Sequence, residues 1–347
     1  MKILLLEYIT AGGLNHVPLP ASLLREGTLM RDALLRDFSQ LAEVEIITTC
    51  DTRVDLSELS QQAIVLDHKS NPMPVWQSLL QSCDAALIVA PETAGVLTEL
   101  TQLIEASPAK NLGCSSQAVE LTSSKFASYQ ALKNANILTI PTYIANEVML
   151  SNLSLKGFFQ HGYIIKPNDG AGCEDTLYFA DIEALQIWLD LNPEMLTGYI
   201  VQPYQTGTPA SISMLCKDGK AWVLGCNQQK IAMTTIDANQ QSIHYNGSVI
   251  NGLSLLHRTT FERLADSIAH ALPGLNGYVG VDVIVDGEAV YVVEINPRIT
   301  TSYIGLRESL GCNPAQLIWG SADNPSVEWA TNLTTKVVDI NLNNKNE

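Results

Sequence analysis

Apolar residues fall in two rhythms along this chain. In the first third, short apolar runs at Lys2–Glu7, Val44–Thr49, Ala63–Leu66 and Ala85–Ala90 predict four strands. Between them, Leu23, Leu24, Met30, Leu34, Phe38 and Leu41 recur at helical spacing, so 21–42 is predicted to be an amphipathic helix, with further helices at about 74–83 and 93–106. Strands alternating with helices predict an open parallel sheet. No G-x-G-x-x-G follows the first strand, so the dinucleotide fingerprint is missing. This first unit should end near Cys114.

Beyond it the rhythm shortens towards period two. A helix opens at Leu121–Lys125 behind a Ser/Thr cap, and strands are predicted at Ile137–Tyr143, His161–Pro167 and Gly198–Tyr204. Asp181 caps a helix that buries Ile182, Leu185, Trp188 and Leu189. Asp218-Gly219 and Asp286-Gly287 each sit between β-branched runs and predict hairpins. A helix capped by Thr259 or Thr260 runs to Ala271, a short one begins at Asn313, and the chain after Asn332 reads as a frayed tail. The whole combines α/β and α+β character.

The second hairpin carries the most chemistry. Glu294 and Asn296 lie two apart on its second strand and therefore share a face. Whether Asp282 joins them depends on the turn. A two-residue loop at Asp286-Gly287 puts Asp282 and Glu294 on opposite faces; a three-residue loop or a bulge puts them on one. An Asp, a Glu and an Asn on a rigid sheet, followed by Arg298, suit a hard cation whose shell phosphate oxygens complete, although a solvated acidic hairpin would look similar. Lys166 closes an apolar strand ahead of Asp169, Gly170 and Gly172, where backbone amides and an ammonium group can approach an anion, or simply make a turn. Lys125 stands at a helix N-terminus, against the usual dipole preference, which a nearby anionic ligand would offset. Gln202-Pro203-Tyr204 ends a strand and can offer backbone groups to a base edge, or is an edge-strand proline.

Composition narrows the class. The 347 residues carry 20 basic and 36 acidic side chains, a net −16, which opposes general binding to nucleic acid or an anionic membrane. No apolar run approaches a membrane span, and the apolar start is too short for a signal peptide. Seven cysteines without a C-x-x-C pair fit a reduced, cytoplasmic protein. No Ser-His-Asp or Cys-His pattern stands at an informative spacing.

In their order, Lys125, Lys166 before its glycine loop, Val-Gln-Pro-Tyr204, Asp282 and Glu294-Ile-Asn-Pro-Arg298 resemble the ATP-grasp superfamily over about residues 115–310. The first 114 residues are similar to the open-sheet domain that precedes the grasp fold. Leu-Glu-Tyr-Ile-Thr-Ala-Gly-Gly13, Leu24–Met30 and Glu294–Tyr303 resemble the tyramine–glutamate ligases of methanofuran biosynthesis.

The resemblance implies a pre-grasp domain over 1–114, a small lobe over 115–205, a large lobe with the metal site over 206–333, and a tail over 334–347. It implies ATP with Lys125, Lys166, Asp169, Gly170 and Gly172 at its phosphates and Gln202, Pro203 and Tyr204 at the adenine. Asp282, Glu294 and Asn296 would hold Mg²⁺, or Mn²⁺ in its place, and Arg298 would face the transferred phosphoryl group. Gly12, Gly13, Glu26 and Lys230 are the candidates for the substrates, a small carboxylate and an amine joined through an acyl phosphate. In Glu26 and the two glycines the plainer alternative is a solvated helix face and a turn. Two departures stand out: Gly207–Ser211 lacks the acidic residue that often binds ribose, and Gln202 replaces a common Glu. A small-molecule kinase and a non-catalytic ATP-binding regulator are the competing expectations; the oligomeric state is left open, a homodimer included.

Overall fold

The computed structural model describes residues 1–56, 63–150, 161–170, 172–253, 257–323 and 335–342. The N-terminal part runs β1 (Lys2–Glu7), α1 (Ala21–Phe38), β2 (Glu45–Ile47), β3 (Thr49–Asp51), β4 (Ile64–Leu66), α2 (Met73–Leu80), β5 (Ala85–Val89), α3 (Val96–Glu105) and β6 (Lys110–Asn111). Its four-stranded sheet is parallel, in the order β2-β1-β5-β6. The strand predicted at 44–49 breaks in two, and β3 leaves the sheet to pair with β4, so the strand predicted at 63–66 lies outside the main sheet. The turn after β1 holds that break. Asp51 donates its amide to Thr10 O, and Thr49 donates its hydroxyl to Ala11 O while accepting from Trp76 Nε1.

The order of this sheet reverses direction between β1 and β5. In open α/β sheets the loops at the carboxyl ends of such neighbours diverge and leave a crevice for ligand. Here those loops are the chain after Glu7 and the chain after Val89.

The single helix expected from Leu121 is two, α4 (Ser116–Ser123) and α5 (Lys125–Asn134). Ser124 between them is extended, and its hydroxyl accepts from Ala127 N, restarting the helix with Lys125 as its first residue. β7 (Tyr143–Ile144), α6 (Ala145–Leu150), β8 (Tyr163–Pro167), β9 (Leu177–Phe179), α7 (Ile182–Leu191) and β10 (Tyr199–Pro203) follow. Asp181 caps α7 as expected, accepting from Ala184 N at 2.7 Å.

The remainder is β11 (Thr208–Lys217), β12 (Lys220–Thr235), β13 (Gln240–Ile250), α8 (Arg258–Ala271), β14 (Gly277–Asp286), β15 (Ala289–Asn296), α9 (Tyr303–Leu310), α10 (Pro314–Asp323) and β16 (Val338–Asn341). These strands join β7–β10 in one antiparallel sheet, in the order β15-β14-β11-β12-β13-β9-β8-β10-β7, with β16 added beside β13. The tail expectation is corrected within the described residues: Val338–Asn341 pairs with Gly247–Ile250, and alternate positions such as Ile340 pack on the core. The rest of the expected tail, 334 and 343–347, lies outside the described residues.

Three apolar clusters fill the interior. Two of them each combine residues of the parallel sheet, such as Leu4 and Ile88 or Leu5 and Leu87, with residues of the large sheet, such as Val281 and Val292 or Leu215 and Tyr278. The third, around Tyr163, Ile165, Phe179, Leu185 and Val201, is confined to the segment from Ala145 to Val201.

Candidate active site

Alternation along the strands decides which side chains meet. Gly280, Asp282 and Ile284 on β14, Gln229, Ile231 and Met233 on β12, and Ile164 and Lys166 on β8 line one cavity of about 440 Å³. The crevice at the β1/β5 reversal closes its other side, through Glu7 at the end of β1, Ile9 just beyond it, and Ala90, Pro91 and Thr93 after β5. A more open cleft of about 650 Å³, lined by Arg36, Gln40 and Arg307 among others, contains none of the predicted site residues.

The hairpin resolves its parity by a bulge. The turn is the two residues Gly287 and Glu288, with Asp286 paired to Ala289 and Val283 to Val292. That register alone would set Asp282 opposite Val293. Val293 is instead the extra residue of a β-bulge, and Asp282 pairs directly with Glu294 and Gly280 with Asn296. The two carboxylates therefore share the cavity face with Asn296, whose Nδ2 donates to Asp282 Oδ2 at 3.2 Å.

The electrostatics split this pair. Lys166 Nζ lies 3.4 Å and Lys125 Nζ 3.7 Å from Glu294 Oε2. Burial alone would raise Glu294, but the two ammonium groups outweigh it and hold its carboxyl well below the usual range. Burial, and then the Glu294 charge, push Asp282 up. Burial also lowers Lys166, against the pull of Glu294. Two half-buried, face-to-face carboxylates with an amide beside them form an all-oxygen donor set that a hard divalent cation would relieve, with phosphate oxygens completing the shell. No group of three or more His, Cys, Asp and Glu suited to a metal occurs among the described residues.

Lys125 reaches this point because α5 starts against the glycine-bearing loop. Its backbone N donates to Asn168 O, and its Nζ donates to Gly170 O at 3.0 Å. Asn168 fixes that junction: Oδ1 accepts from Phe126 N at 2.9 Å, and Nδ2 donates to Ser124 Oγ at 3.0 Å. In the same loop Cys173 faces the cavity, its thiol pushed up to about 12 chiefly by burial and then by Glu294, which disfavours the thiolate.

Arg298 forms a two-pronged ion pair. Nε and Nη2 donate to Oε1 and Oε2 of Glu92 at 2.8 and 2.9 Å. Glu92 was not among the predicted residues. Its signal is positional: Pro91-Glu92-Thr93 follows the fully apolar β5 after the single residue Ala90, at a carboxyl end where ligands gather. Gln229, also unpredicted, donates Nε2 to Asp282 Oδ1 at 2.8 Å; nothing in the local sequence of β12 marks it.

The nucleotide-side expectations Asp169, Gly170, Gly172, Gln202, Pro203 and Tyr204 all line the cavity. Gln202 is buried and donates Nε2 to Thr142 Oγ1 at 2.9 Å, while the Tyr204 amide is engaged by Gly162 O.

The expected substrate residues divide. Glu26 lines the cavity beside Leu23 and Met30; burial raises its carboxyl, and the Arg298 charge partly offsets that. Gly12, Gly13 and Lys230 do not line it, which corrects the expectation. A Cβ on Gly13 would lie 2.3 Å from the Tyr8 ring, and Gly12 holds φ 102 against Asn15, so both serve the turn. Lys230 falls at the bulge of β12 and pairs with Asp339 of β16. Glu7 lines the cavity unforeseen, fixed by hydrogen bonds from Ile9 N, Thr10 N and Thr10 Oγ1. Gly27 on α1 leaves it room, since a Cβ there would come within 2.6 Å of Glu7 Oε2.

A family model described as an ATP-grasp domain matches residues 122–302, and one described as a pre ATP-grasp 3 domain matches 44–119. The chain is 30% identical over 334 residues to the tyramine–L-glutamate ligase of Methanocaldococcus jannaschii, across 94% of this chain and 91% of that one. It is 31% identical over 327 residues to the enzyme of the same name from Methanocaldococcus fervens, across 93% and 94%. A crystal structure of an ATP-grasp superfamily protein from Archaeoglobus fulgidus superposes with a TM-score of 0.67 at 23% identity, across 98% of this chain and 100% of that one.

Proposed function

The chain belongs to the ATP-grasp family and is an ATP-dependent carboxylate–amine ligase, and from this we propose that it joins glutamate to tyramine or a closely related amine. Its ligase relatives carry that name over nearly their whole length. They also set aside a kinase that stops at phosphoryl transfer and a non-catalytic ATP-binding protein.

The observation that carries the division of labour is the meeting of Lys125 and Lys166 on Glu294, directly opposite Asp282. In this reading the two lysines exchange Glu294 for ATP phosphate oxygens when nucleotide binds. Asp282, Glu294 and Asn296 would hold Mg²⁺, which would supply positive charge against the phosphates. Gln202, Pro203 and Tyr204 flank the base. The substrate carboxylate oxygen attacks the γ-phosphorus, the bond to the β-phosphate oxygen breaks, and ADP departs. Arg298 stabilises charge on the transferred group. The loop from Asp169 to Glu174 keeps water from the acyl phosphate.

The amine then attacks the acyl carbon, the carbon–oxygen bond to phosphate breaks, and inorganic phosphate leaves. Attack requires a neutral amine. Glu26, a carboxylate whose affinity for protons burial has raised, pairs with the ammonium form and accepts its proton. Ile9, Leu14, Leu23 and Met30 beside it suit an amine with an apolar body.

The test is product formation. Incubation with ATP, Mg²⁺, L-glutamate and tyramine is expected to give a glutamyl–tyramide by mass spectrometry, with ADP release that needs both acid and amine. Parallel arms with other amino acids and amines define the substrates. ADP release that is indifferent to every amine would sink the reading.

A further inference from the structure

The Arg298 guanidinium shares one cavity with the carboxylates of Asp282 and Glu294 and reaches their face through Nη2, which donates to Asn296 Oδ1 at 3.5 Å. What restrains it comes from the other sheet. Glu92, at the end of β5, takes Nε and Nη2 in a fork-to-fork pair whose side chains are 4% and 10% exposed, while Nη1 donates to Ile299 O. Such a bidentate pair fixes the plane of the fork as well as its position. Two residues further along the same loop, the Ala94 amide donates to Asp169 Oδ2 at 2.9 Å. The loop after β5 thus grips both Arg298 and the phosphate-side loop.

We propose that Glu92 is a positioning residue for the ligase reaction: it holds the Arg298 guanidinium off the metal carboxylates and aimed at the transferred phosphoryl group. The inference rests on the ligase reading of Arg298. Without the Glu92 anchor the long arginine side chain regains rotamers and falls towards Asp282 and Glu294, where it competes with the cation and misses the phosphate. Glu92 is not among the residues that line the cavity, and its side chain meets the site through Arg298.

A double-mutant cycle of Glu92→Gln and Arg298→Lys tests this, read by ADP release at saturating glutamate and tyramine, KM for ATP, and thermal melting. Lysine keeps the charge but has no fork for Glu92 to hold. Glu92→Gln is expected to lower kcat about 100-fold with KM for ATP changed less than about threefold. In the Arg298→Lys background it should lower kcat little further, because the two act as one unit. Glu92→Asp, which keeps the charge on a shorter arm, should fall between wild type and Glu92→Gln and covers the case in which the glutamine variant fails to fold. The proposal is overturned if Glu92→Gln keeps wild-type kcat, or if the two kcat losses simply multiply. A fall in melting temperature with kcat per folded enzyme intact would make the pair a brace between sheets and equally overturn it. If Arg298→Lys itself turns over normally, the role given to Arg298 fails instead, and the two failures are distinct.

Discussion

Asp282 and Glu294 stand directly opposite each other on adjacent strands although the turn joining those strands holds an even number of residues. The bulge at Val293 makes this possible, and the pairing makes the two acids unequal: Glu294 faces two ammonium groups and Asp282 faces Glu294. Their substitutions should therefore move stability in opposite directions.

Asp282→Asn removes a carboxylate whose ionised form is disfavoured by burial and by its neighbour. The metal-free protein is expected to melt higher than wild type at neutral pH, while added Mg²⁺ and ATP no longer raise its melting temperature and turnover is lost. Glu294→Gln leaves Lys125 and Lys166 facing each other without a counter-ion. It should abolish turnover and cost stability by about 3 kcal/mol. Differential scanning calorimetry with and without Mg²⁺-ATP reads both; equal signs for the two variants would contradict the assignment.

Glu26 gives a pH signature. Its folded-state pKa is raised above the ordinary 4.5 by burial. Below that ordinary value both folded and unfolded chains hold the proton, and nothing is gained or lost. As pH rises through it the unfolded chain ionises first, so folding loses free energy until the folded group has ionised too. Glu26→Gln should therefore match wild type in melting temperature near pH 4 and melt higher near pH 8. The same variant should raise KM for the amine and leave KM for ATP unchanged. A melting difference that is flat with pH would show that Glu26 is solvated.

Asn168 joins α5 to the phosphate-side loop through its side chain, bonded to Phe126 N and Ser124 Oγ, and through its carbonyl, bonded to Lys125 N. Asn168→Ala orphans the Phe126 amide and loosens the placement of Lys125. We expect a loss of about 1–2 kcal/mol in stability and a raised KM for ATP, checked by urea melts and steady-state kinetics.

The Cys173 thiol faces the cavity yet is pushed up to about 12. Cys173→Ala should keep near-wild-type kcat, and iodoacetamide at neutral pH should inactivate slowly. Rapid inactivation that ATP prevents would assign the thiol a reactivity its surroundings do not support.

The chemistry of the hairpin was readable because period-two alternation and turn residues are local: Glu294 and Asn296 share a face by arithmetic alone. The bulge at Val293 was readable only as one of several options, since its cause is the packing of β14 and β15 against the rest of the sheet and no residue type announces it. Lys125 and Lys166 were legible as cations in odd places, a helix start and the end of an apolar strand. Their meeting on Glu294, from segments 128 residues away in the case of Lys166, was not. Glu92 and Gln229 have partners distant in sequence; Glu92 is marked only by its place beyond β5, and nothing local marks Gln229. Gly12 and Gly13 misled for the reverse reason: glycines after a first strand suit both ligand approach and a tight turn, and only the Tyr8 ring decides between them. The shift of β3 out of the parallel sheet likewise depends on Thr10, Ala11 and Trp76, none of which adjoins it in sequence.

The three apolar clusters have a mechanical consequence. Two of them weld the parallel sheet to the large antiparallel one, so those parts cannot swing apart without exposing buried core. The third belongs to the segment from Ala145 to Val201 by itself, and that segment carries Lys166 and the glycine-bearing loop. Its core shares no buried residue with the other two. Its fastenings to the rest include the β9–β13 ladder and the polar contacts of Lys166 with Glu294 and of Asp169 with the Ala94 amide. A ligand that draws Lys166 from Glu294 would therefore loosen one tie of this segment to the face of β14 and β15 without opening the segment's own core.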